Sequence, residues 1–215
     1  MRSKFYNFIW HTLGPLSKFF CIVRHHGSEN EPTEAEGPYV VIANHISNFD
    51  PIFICAGLKN QQPHYMAKKE LFNVPFLNKL VTALGAYPVN RGGVDVSAIK
   101  NSINIVKGGR CVGIFPQGHR EKGKTPMEAD LKNGAAMIVT KSNATILPCC
   151  IVTKKNRFSF FRRVDVYYGK PIKFEELNYD HENPGEYTRI TELMFDRVRQ
   201  MYKNATGAEE TKSAE

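Results

Sequence analysis

The pattern of apolar and polar positions predicts alternating strands and helices along the middle of the chain. Short apolar runs bounded by polar or turn residues predict buried strands, and they cover residues 39–43, 64–67, 111–115 and 144–152. Apolar side chains at helical spacing predict helices at residues 94–107, 130–141 and 187–202, and a further helix starts at Pro51. This alternation predicts an α/β fold, in which a layered, mostly parallel or mixed sheet is flanked by helices.

The N-terminal segment has a different pattern. Residues 5–23 are rich in Phe, Ile and Leu and include Trp10, but polar side chains interrupt them and Gly14-Pro15 breaks the middle. A membrane-spanning helix needs about 20 nearly uninterrupted apolar residues, and no small-residue cleavage site of a signal peptide follows. We therefore predict two short amphipathic helices that lie on a membrane. A helix packed on the domain core is the alternative.

Changes in composition predict the domain boundaries. Residues 24–38 are polar and turn-rich, which predicts a linker or long loop, and residues 162–168 alternate as an exposed or edge strand would. Beyond Asn204 the chain is small and polar, which predicts a disordered tail. The predicted organisation has membrane-associating helices and a linker at 1–36, one α/β domain at 37–203 and the tail at 204–215.

Charge and cysteine content narrow the classes of partner. A net charge of +8 over 215 residues favours anions such as nucleic acid, anionic lipid or phosphorylated substrates. Most basic residues are scattered, so nucleic acid is not predicted as a partner. The pairs at 154–155 and 162–163 flank phenylalanines, and this patch is equally a second membrane contact. The five cysteines form no Cys-x-x-Cys pair, so we interpret them as small buried hydrophobes and not as disulfides or a zinc site.

His45 and Asp50 are the leading candidates for chemistry. His45 follows the apolar run 39–43, and Asp50 precedes Pro51 as an N-cap residue would. A bend at this strand–loop–helix junction brings the two side chains together, so that the carboxylate accepts Nδ1–H and leaves Nε2 free as a general base. The alternative is that Asp50 is only a helix cap and His45 an ordinary loop histidine. A metal site at these two residues lacks a third ligand and is the weaker prediction.

Three more loops follow predicted strands and hold groups suited to phosphate chemistry. They contribute Lys68, Arg91, and the Gln117-Gly118-His119-Arg120 stretch. Arginine binds phosphate through a planar fork and lysine as a point charge, and glycine lets the backbone approach a ligand closely. Each motif alone is more typical of solvated surface or a plain turn.

Taken in order, five segments resemble the glycerolipid acyltransferases, and most of all the 1-acylglycerol-3-phosphate acyltransferases. The segments are Asn44-His45-x4-Asp50, Ala67-Lys68-Lys69-Glu70-Leu71, Gly85-x3-Val89-Asn90-Arg91, Phe115-Pro116-x-Gly118-x-Arg120 and Ile146-Leu147-Pro148. The resemblance runs from about Tyr39 to Val152, which is most of the chain.

The resemblance implies a reaction and roles for these residues. His45 would deprotonate the sn-2 hydroxyl of lysophosphatidic acid while Asp50 orients it, and the hydroxyl would attack the thioester of acyl-CoA or acyl-carrier protein directly. No cofactor and no metal are implied. Arg120, Lys68 and Arg91 would hold the substrate phosphate, and Gln117 and Gly118 would shape the site. It also implies a peripheral protein on the cytoplasmic face of an anionic membrane.

One loop departs from the family's pattern. The family commonly has Glu-Gly-Thr-Arg, and this chain has Gln117-Gly118-His119-Arg120, so the family's negative charge is missing at position 117. We interpret His119 as neutral filling in preference to a contact with the acyl donor. The departure keeps open an acceptor such as glycerol 3-phosphate or another lysolipid, and a non-catalytic phosphate- or lipid-binding module is the remaining class.

Overall fold

The computed structural model describes residues 22–90 and 95–207. A mixed seven-stranded sheet is formed by these residues, in the order β1-β7-β6-β2-β5-β3-β4. Its strands are β1 (Ile22–His26), β2 (Tyr39–Ala43), β3 (His64–Lys68), β4 (Tyr87–Val89), β5 (Val112–Ile114), β6 (Thr145–Thr153) and β7 (Arg163–Tyr168). Neighbouring strands are parallel except β6 and β7, so β1 and β7 run opposite to the rest. This confirms the predicted class of a layered, mixed sheet.

Helices cover both faces of the sheet. They are α1 (Asp50–Gly57), α2 (Pro75–Ala83), α3 (Val96–Lys107), α4 (Gly134–Ser142) and α5 (Glu186–Thr206). On β2, Val40 and Ile42 pack into one core with helices α3, α4 and α5, while Tyr39 and Val41 pack into a second core with α1. Alternate strand positions point to opposite faces, so the continuous apolar run predicted a strand that is buried on both sides.

Two predictions at the far margin of the sheet were wrong. Residues 22–23 were expected in the amphipathic helices and residues 24–26 in a linker, but all five belong to β1, which pairs in parallel with β7. Strand β7 was expected to be exposed or at an edge, but it lies between β1 and β6 and is largely buried. The polar sequence Arg24-His25-His26 does not look like a strand because β1 is the true edge, where charged side chains protect unpaired backbone.

The ends of the chain bear on the remaining predictions. Helix α5 continues to Thr206, two residues past the predicted start of the tail. The predicted amphipathic helices before Ile22 and most of the tail lie outside the described residues. Among the residues that are described, none of the helices is both long and apolar enough to cross a membrane.

The strand directions decide where a site can form. Strands β2, β3, β4, β5 and β6 end at one edge of the sheet. Lys68 is the last residue of β3, and the loops after the other four strands carry His45, Asn90, Gln117 and Lys154. In open α/β sheets, ligands bind at the carboxyl ends of the strands. We call this edge the carboxyl edge.

Candidate active site

His45 and Asp50 meet through a single hydrogen bond at the carboxyl edge. The Nδ1 atom of His45 lies 2.8 Å from Oδ2 of Asp50, and the Asp50 side chain is completely buried while that of His45 keeps 10% exposure. A carboxylate accepts, so Nδ1 carries the proton and Nε2 has the free lone pair. Nε2 makes no hydrogen bond within residues 22–90 and 95–207. The pair thus has the geometry of an oriented general base.

Asp50 does not cap helix α1 in the way that was predicted. No side-chain capping bond starts the helix, and the carboxylate turns back into the preceding loop. Its Oδ2 also accepts from the backbone N–H groups of Ile46 at 2.6 Å and Ser47 at 2.8 Å, while Oδ1 is buried and lacks a hydrogen-bond partner among the described residues. The carboxylate therefore fixes the loop and the imidazole at once.

Phe115 holds the other side of the imidazole. Its ring stacks on His45 with centroids 4.0 Å apart and planes 12° from parallel, and Tyr65 lies against Phe115 at 5.6 Å. Tyr65 fits because position 113 is glycine: a Cβ there would stand 2.1 Å from the Tyr65 ring. With Asp50 at Nδ1 and Phe115 on its face, the imidazole has little freedom to rotate.

The loop after β5 is bonded to the backbone of His45 on both sides. Oε1 of Gln117 accepts from the His45 N–H at 2.7 Å, and the Glu121 N–H donates to the His45 carbonyl at 2.8 Å. Nε2 of Gln117 donates to Oε2 of Glu121 at 2.6 Å, which closes the ring of contacts. A buried carboxylate, Glu121, thus lies beside position 117, where the sequence has no negative charge. Gln117 fixes the backbone of His45, a contact that its sequence alone did not specify.

Gly118 and Arg120 complete this loop. Gly118 donates to the Phe115 carbonyl in a tight turn and has φ of +71°, a conformation that favours glycine. The guanidinium of half-buried Arg120 forms no ion pair with the described residues, so it is available to an anionic ligand. His119 is exposed, and its Nε2 lies 3.8 Å from Oε1 of Glu121.

Lys68 and Arg91 are the two remaining candidates for binding phosphate. Lys68 ends β3 at the carboxyl edge, but it is half exposed and its ammonium pairs with Glu70 at 3.2 Å. Arg91 lies outside the described residues. Its described neighbours Asn90 and Asp95 are joined, since the Asn90 N–H donates to Asp95 Oδ2 at 2.8 Å.

Three residues around the base were missed by the sequence analysis. Asn44 exchanges two hydrogen bonds with the Ile151 backbone, at 2.9 and 2.8 Å, and so ties the histidine loop to β6. Phe115 and Glu121 are the other two. All three lie inside or beside the motifs that were recognised, so their position along the chain was the available signal.

Three of the buried cysteines do not have the raised acidity that a nucleophilic thiol needs. Burial raises the pKa of the Cys111 thiol to about 12 and raises the pKa of Cys149 and Cys150 well above the ordinary value. Thiolate, not thiol, is the reactive form. No cluster of three or more metal-ligating side chains occurs in the described part of the chain.

Comparison with known proteins agrees with this geometry. An acyltransferase family model matches residues 22–152. The 1-acyl-sn-glycerol-3-phosphate acyltransferase of Bacillus subtilis is 29% identical over 182 residues, which cover 83% of this chain and 87% of that protein. The corresponding protein of Streptococcus pneumoniae is 32% identical over 157 residues, which cover 71% of this chain and 56% of that protein.

A solved structure has the same fold. The crystal structure of the 1-acyl-sn-glycerophosphate acyltransferase from Thermotoga maritima matches with a TM-score of 0.63 and 24% identity, covering 88% of this chain and 74% of that one. The family model spans more than half of the chain and includes the His45, Asp50 and Gln117 loops. This protein therefore belongs to the acyltransferase family.

Proposed function

We propose that this protein transfers a fatty acyl group from acyl-CoA or acyl-carrier protein to the sn-2 hydroxyl of lysophosphatidic acid, giving phosphatidic acid. The observation that carries the proposal is the buried His45–Asp50 pair with Nε2 left open. The names of the relatives support the acceptor, because the B. subtilis and S. pneumoniae proteins are 1-acyl-sn-glycerol-3-phosphate acyltransferases.

The chemistry needs only one base. Nε2 of His45 removes the proton of the acceptor hydroxyl as the oxygen attacks the thioester carbonyl carbon. The tetrahedral intermediate collapses, the carbon–sulfur bond breaks, and the imidazolium returns its proton to the leaving thiolate. Asp50 stabilises the positive charge that His45 carries between these two steps. No acyl-enzyme and no cofactor or metal is required in this scheme.

We propose that cations from the carboxyl ends of the strands hold the acceptor's phosphate. Arg120 is the leading candidate, because its guanidinium has no ion-pair partner among the described residues and it follows the Gln117-Gly118 turn. Lys68 and Arg91 are proposed as further contacts; Lys68 would have to exchange Glu70 for phosphate. Gln117 and Gly118 shape the loop that presents Arg120 to the substrate.

We also propose that the enzyme works as a peripheral protein on the cytoplasmic face of an anionic membrane. Its acceptor is a lipid, its net charge is +8, and the segment before Ile22 has an amphipathic sequence.

Mass-spectrometric detection of phosphatidic acid tests the proposal. The full chain is mixed with lysophosphatidic acid and a panel of acyl-CoA and acyl-carrier-protein donors. We expect product from the wild type and a loss of about 10²- to 10⁴-fold in His45→Ala, the usual contribution of a general base. His26→Ala is the matched control, because His26 also bonds an aspartate, Asp165, at 2.8 Å, but does so away from the base.

The possible failures are distinct. No product with any donor would refute lysophosphatidic acid as the acceptor, and glycerol 3-phosphate and other lysolipids would be tested next. Equal product from His45→Ala and wild type would refute the assignment of His45 as the base.

A further inference from the structure

An exposed aromatic cluster lies beside the active site. Phe49, inside the His45–Asp50 loop, packs against Phe158 with centroids 5.2 Å apart and against Phe160 at 6.2 Å. Phe158 also contacts Phe53 on α1 at 5.3 Å. Phe49 and Phe160 remain 40% and 56% exposed. The cluster thus connects the catalytic loop to the β6–β7 connection and still presents an apolar surface to the surroundings.

The tip of this connection is an unusual turn. Arg162 N–H donates to the Ser159 carbonyl at 3.3 Å, so Phe160 and Phe161 occupy the two central positions. Phe161 is 67% exposed and has φ of +60°. Such positions normally hold Gly, Asn, Asp or Ser, because φ near +60° strains larger side chains. Two adjacent phenylalanines at an exposed turn are unfavourable in water and suit an apolar environment.

Cations outnumber carboxylates around the turn, where Asp165 pairs with Arg163. Residues 154–164 contain no acidic residue, and Lys154 and Arg162 form no ion pair within the described ranges. Both line a surface cleft of about 350 Å³. Asp165 lines the same cleft, but its carboxylate is already bonded to Arg163 and His26. Lys154 and Arg162 therefore remain as cations available to a phosphate group.

The strand register places this turn on the same side as the active site. Ala43, the last residue of β2, pairs with Cys149, so β6 continues four residues beyond it to Thr153. Ile22 pairs with Arg163 at the start of β7. Ile22, the first described residue, therefore lies at the carboxyl edge, at the same end of the sheet as the turn and the histidine loop.

The connection is held firmly at its base. Gly123, two residues after Glu121, donates to the Asn156 carbonyl at 2.8 Å, and Tyr202 on α5 donates to the Asn156 side chain at 2.9 Å. The connection that carries the turn is thus linked through Asn156 and Gly123 to the loop that bonds the backbone of His45.

We propose that Phe49, Phe158, Phe160 and Phe161, together with Lys154 and Arg162, form a docking surface for an anionic lipid bilayer. We call these six residues the Phe160 surface. Exposed phenylalanines enter the interfacial region while the two cations pair with lipid phosphate. This proposal rests on the proposed function, since a lipid acceptor in the bilayer then meets His45 at the docked edge. An acidic carrier protein would use the cations but has less need of the two aromatic tips.

Binding of the full chain to sedimented vesicles tests the surface separately from turnover. The vesicles contain neutral lipid with or without an anionic lipid, at low and high salt. The aromatic variant is Phe160→Ser with Phe161→Gly, in which glycine suits the positive φ and removes strain. The charge variant is Lys154→Glu with Arg162→Glu. Its matched control is Lys107→Glu with Arg110→Glu, which makes the same charge change at exposed positions at the opposite edge.

We expect each surface variant to bind anionic vesicles at least about tenfold more weakly, and the control pair to bind at most about twofold more weakly. Turnover of a short-chain, monomeric lysophosphatidic acid should be retained in the aromatic variant. Wild-type binding by both surface variants would overturn the proposal. So would a charge variant that loses turnover only with acyl-carrier protein and keeps its vesicle binding, because the surface would then dock the carrier.

A second measurement reads the position of the turn in bound protein and does not depend on a loss of binding. Trp10 is the only tryptophan, so Trp10→Phe with Phe160→Trp places a single fluorophore at the turn. We expect lipids brominated in the acyl chain to quench it in bound protein. Unchanged fluorescence in bound protein would overturn the proposal and indicate that another segment, such as residues 1–21, covers the turn. If the wild type makes no phosphatidic acid, the proposed function fails, while vesicle binding and quenching still decide the docking surface.

Discussion

Glu31 and Asp50 are buried carboxylates at opposite edges of the sheet. Each accepts backbone N–H groups and so fixes the loop around it, but the two differ in what their remaining oxygen sites do. At the edge away from the active site, Glu31 accepts from the backbone N–H groups of Lys59, Asn60 and Gln61 and from the Tyr39 hydroxyl. Both of its oxygens are occupied. At the carboxyl edge, Asp50 uses Oδ2 alone for two N–H groups and the His45 ring, and Oδ1 has no partner among the described residues.

The difference separates a structural carboxylate from one suited to chemistry. Both carboxylate oxygens of Glu31 accept hydrogen bonds that join separate segments of the chain, so the charge of Glu31 stabilises the fold. Asp50 binds a group that itself has an open nitrogen, so its charge is available to an imidazole that gains and loses a proton. The two residues should therefore respond differently to the same neutral substitution.

Asp50→Asn should have the largest effect, and it should fall on turnover. The amide oxygen can keep the three contacts of Oδ2, and the NH₂ group occupies the place where Oδ1 lacks a partner. The structure then survives while the charge that stabilises the imidazolium is lost. We expect kcat to fall about 10²- to 10⁴-fold with little change in Tm, measured by initial rates and thermal unfolding. A large loss of Tm with normal kcat would mean that Asp50 is structural, like Glu31.

Glu31→Gln should instead reduce stability. Each oxygen of Glu31 accepts from two donors. In glutamine, an NH₂ group replaces one of these oxygens and would face N–H or O–H donors to which it cannot bond. Losing hydrogen bonds to a buried charge costs about 2–3 kcal/mol, which corresponds to a fall in Tm of roughly 5–10 °C for a chain of this size. The specific activity of the folded enzyme at low temperature should stay within about twofold of wild type. Reduced kcat at unchanged stability would contradict the comparison.

Gly113→Ala should weaken the aromatic support of the base. The new methyl group would stand 2.1 Å from the Tyr65 ring, which must move and release Phe115 from its fixed stack on His45. We expect a loss of about 1–3 kcal/mol of stability and a fall in kcat of about tenfold. In the control Gly134→Ala, the nearest described contact of the new methyl is an ordinary 3.7 Å, and both quantities should be unchanged. Full activity in Gly113→Ala would show that the stack is dispensable.

Substitution of Asp95 should have the smallest effect on stability, because Asp95 is less buried than Asp50 and Glu31. This partly exposed carboxylate accepts from the Ser97 hydroxyl and from the Asn90 and Ala98 N–H groups, and these bonds lower its pKa to about 2. A depressed pKa adds stability that is present above the ordinary value near 3.8 and is lost as pH falls toward about 2.

The measurement is chemical denaturation between pH 5 and pH 2. We expect Asp95→Asn to lower the free energy of unfolding slightly at pH 5 and to narrow the difference from wild type as the pH falls. A difference that widens toward pH 2 would contradict the assigned sign.

Much of the active site could be predicted because its information is local. A buried strand, a short loop and a Pro-started helix bring His45 and Asp50 together within six residues, and the parallel sheet collects the loops after β3, β4 and β5 at the same edge. The resemblance added roles that spacing alone left open. The predicted helix cap at Asp50 was wrong. The carboxylate of Asp50 bonds to the preceding loop because His45 and two N–H groups lie there.

The contacts that set one carboxylate apart from another came only from the tertiary structure. Glu31 and Glu121 look like ordinary surface acids in the sequence, but both are buried. Glu31 bonds to residues 59–61, and Glu121 bonds to Gln117 and to the backbone of His45. Strand β1 forms because its backbone pairs with β7, and the sequence of residues 22–26 alone does not predict that pairing. The sequence by itself determined most of the strands and helices, though not β1, and which loop brings His45 and Asp50 together, since apolar periodicity and turn chemistry act over a few residues. Tertiary packing decided which polar atoms find partners, because a hydrogen bond depends on position in space and not on separation along the chain.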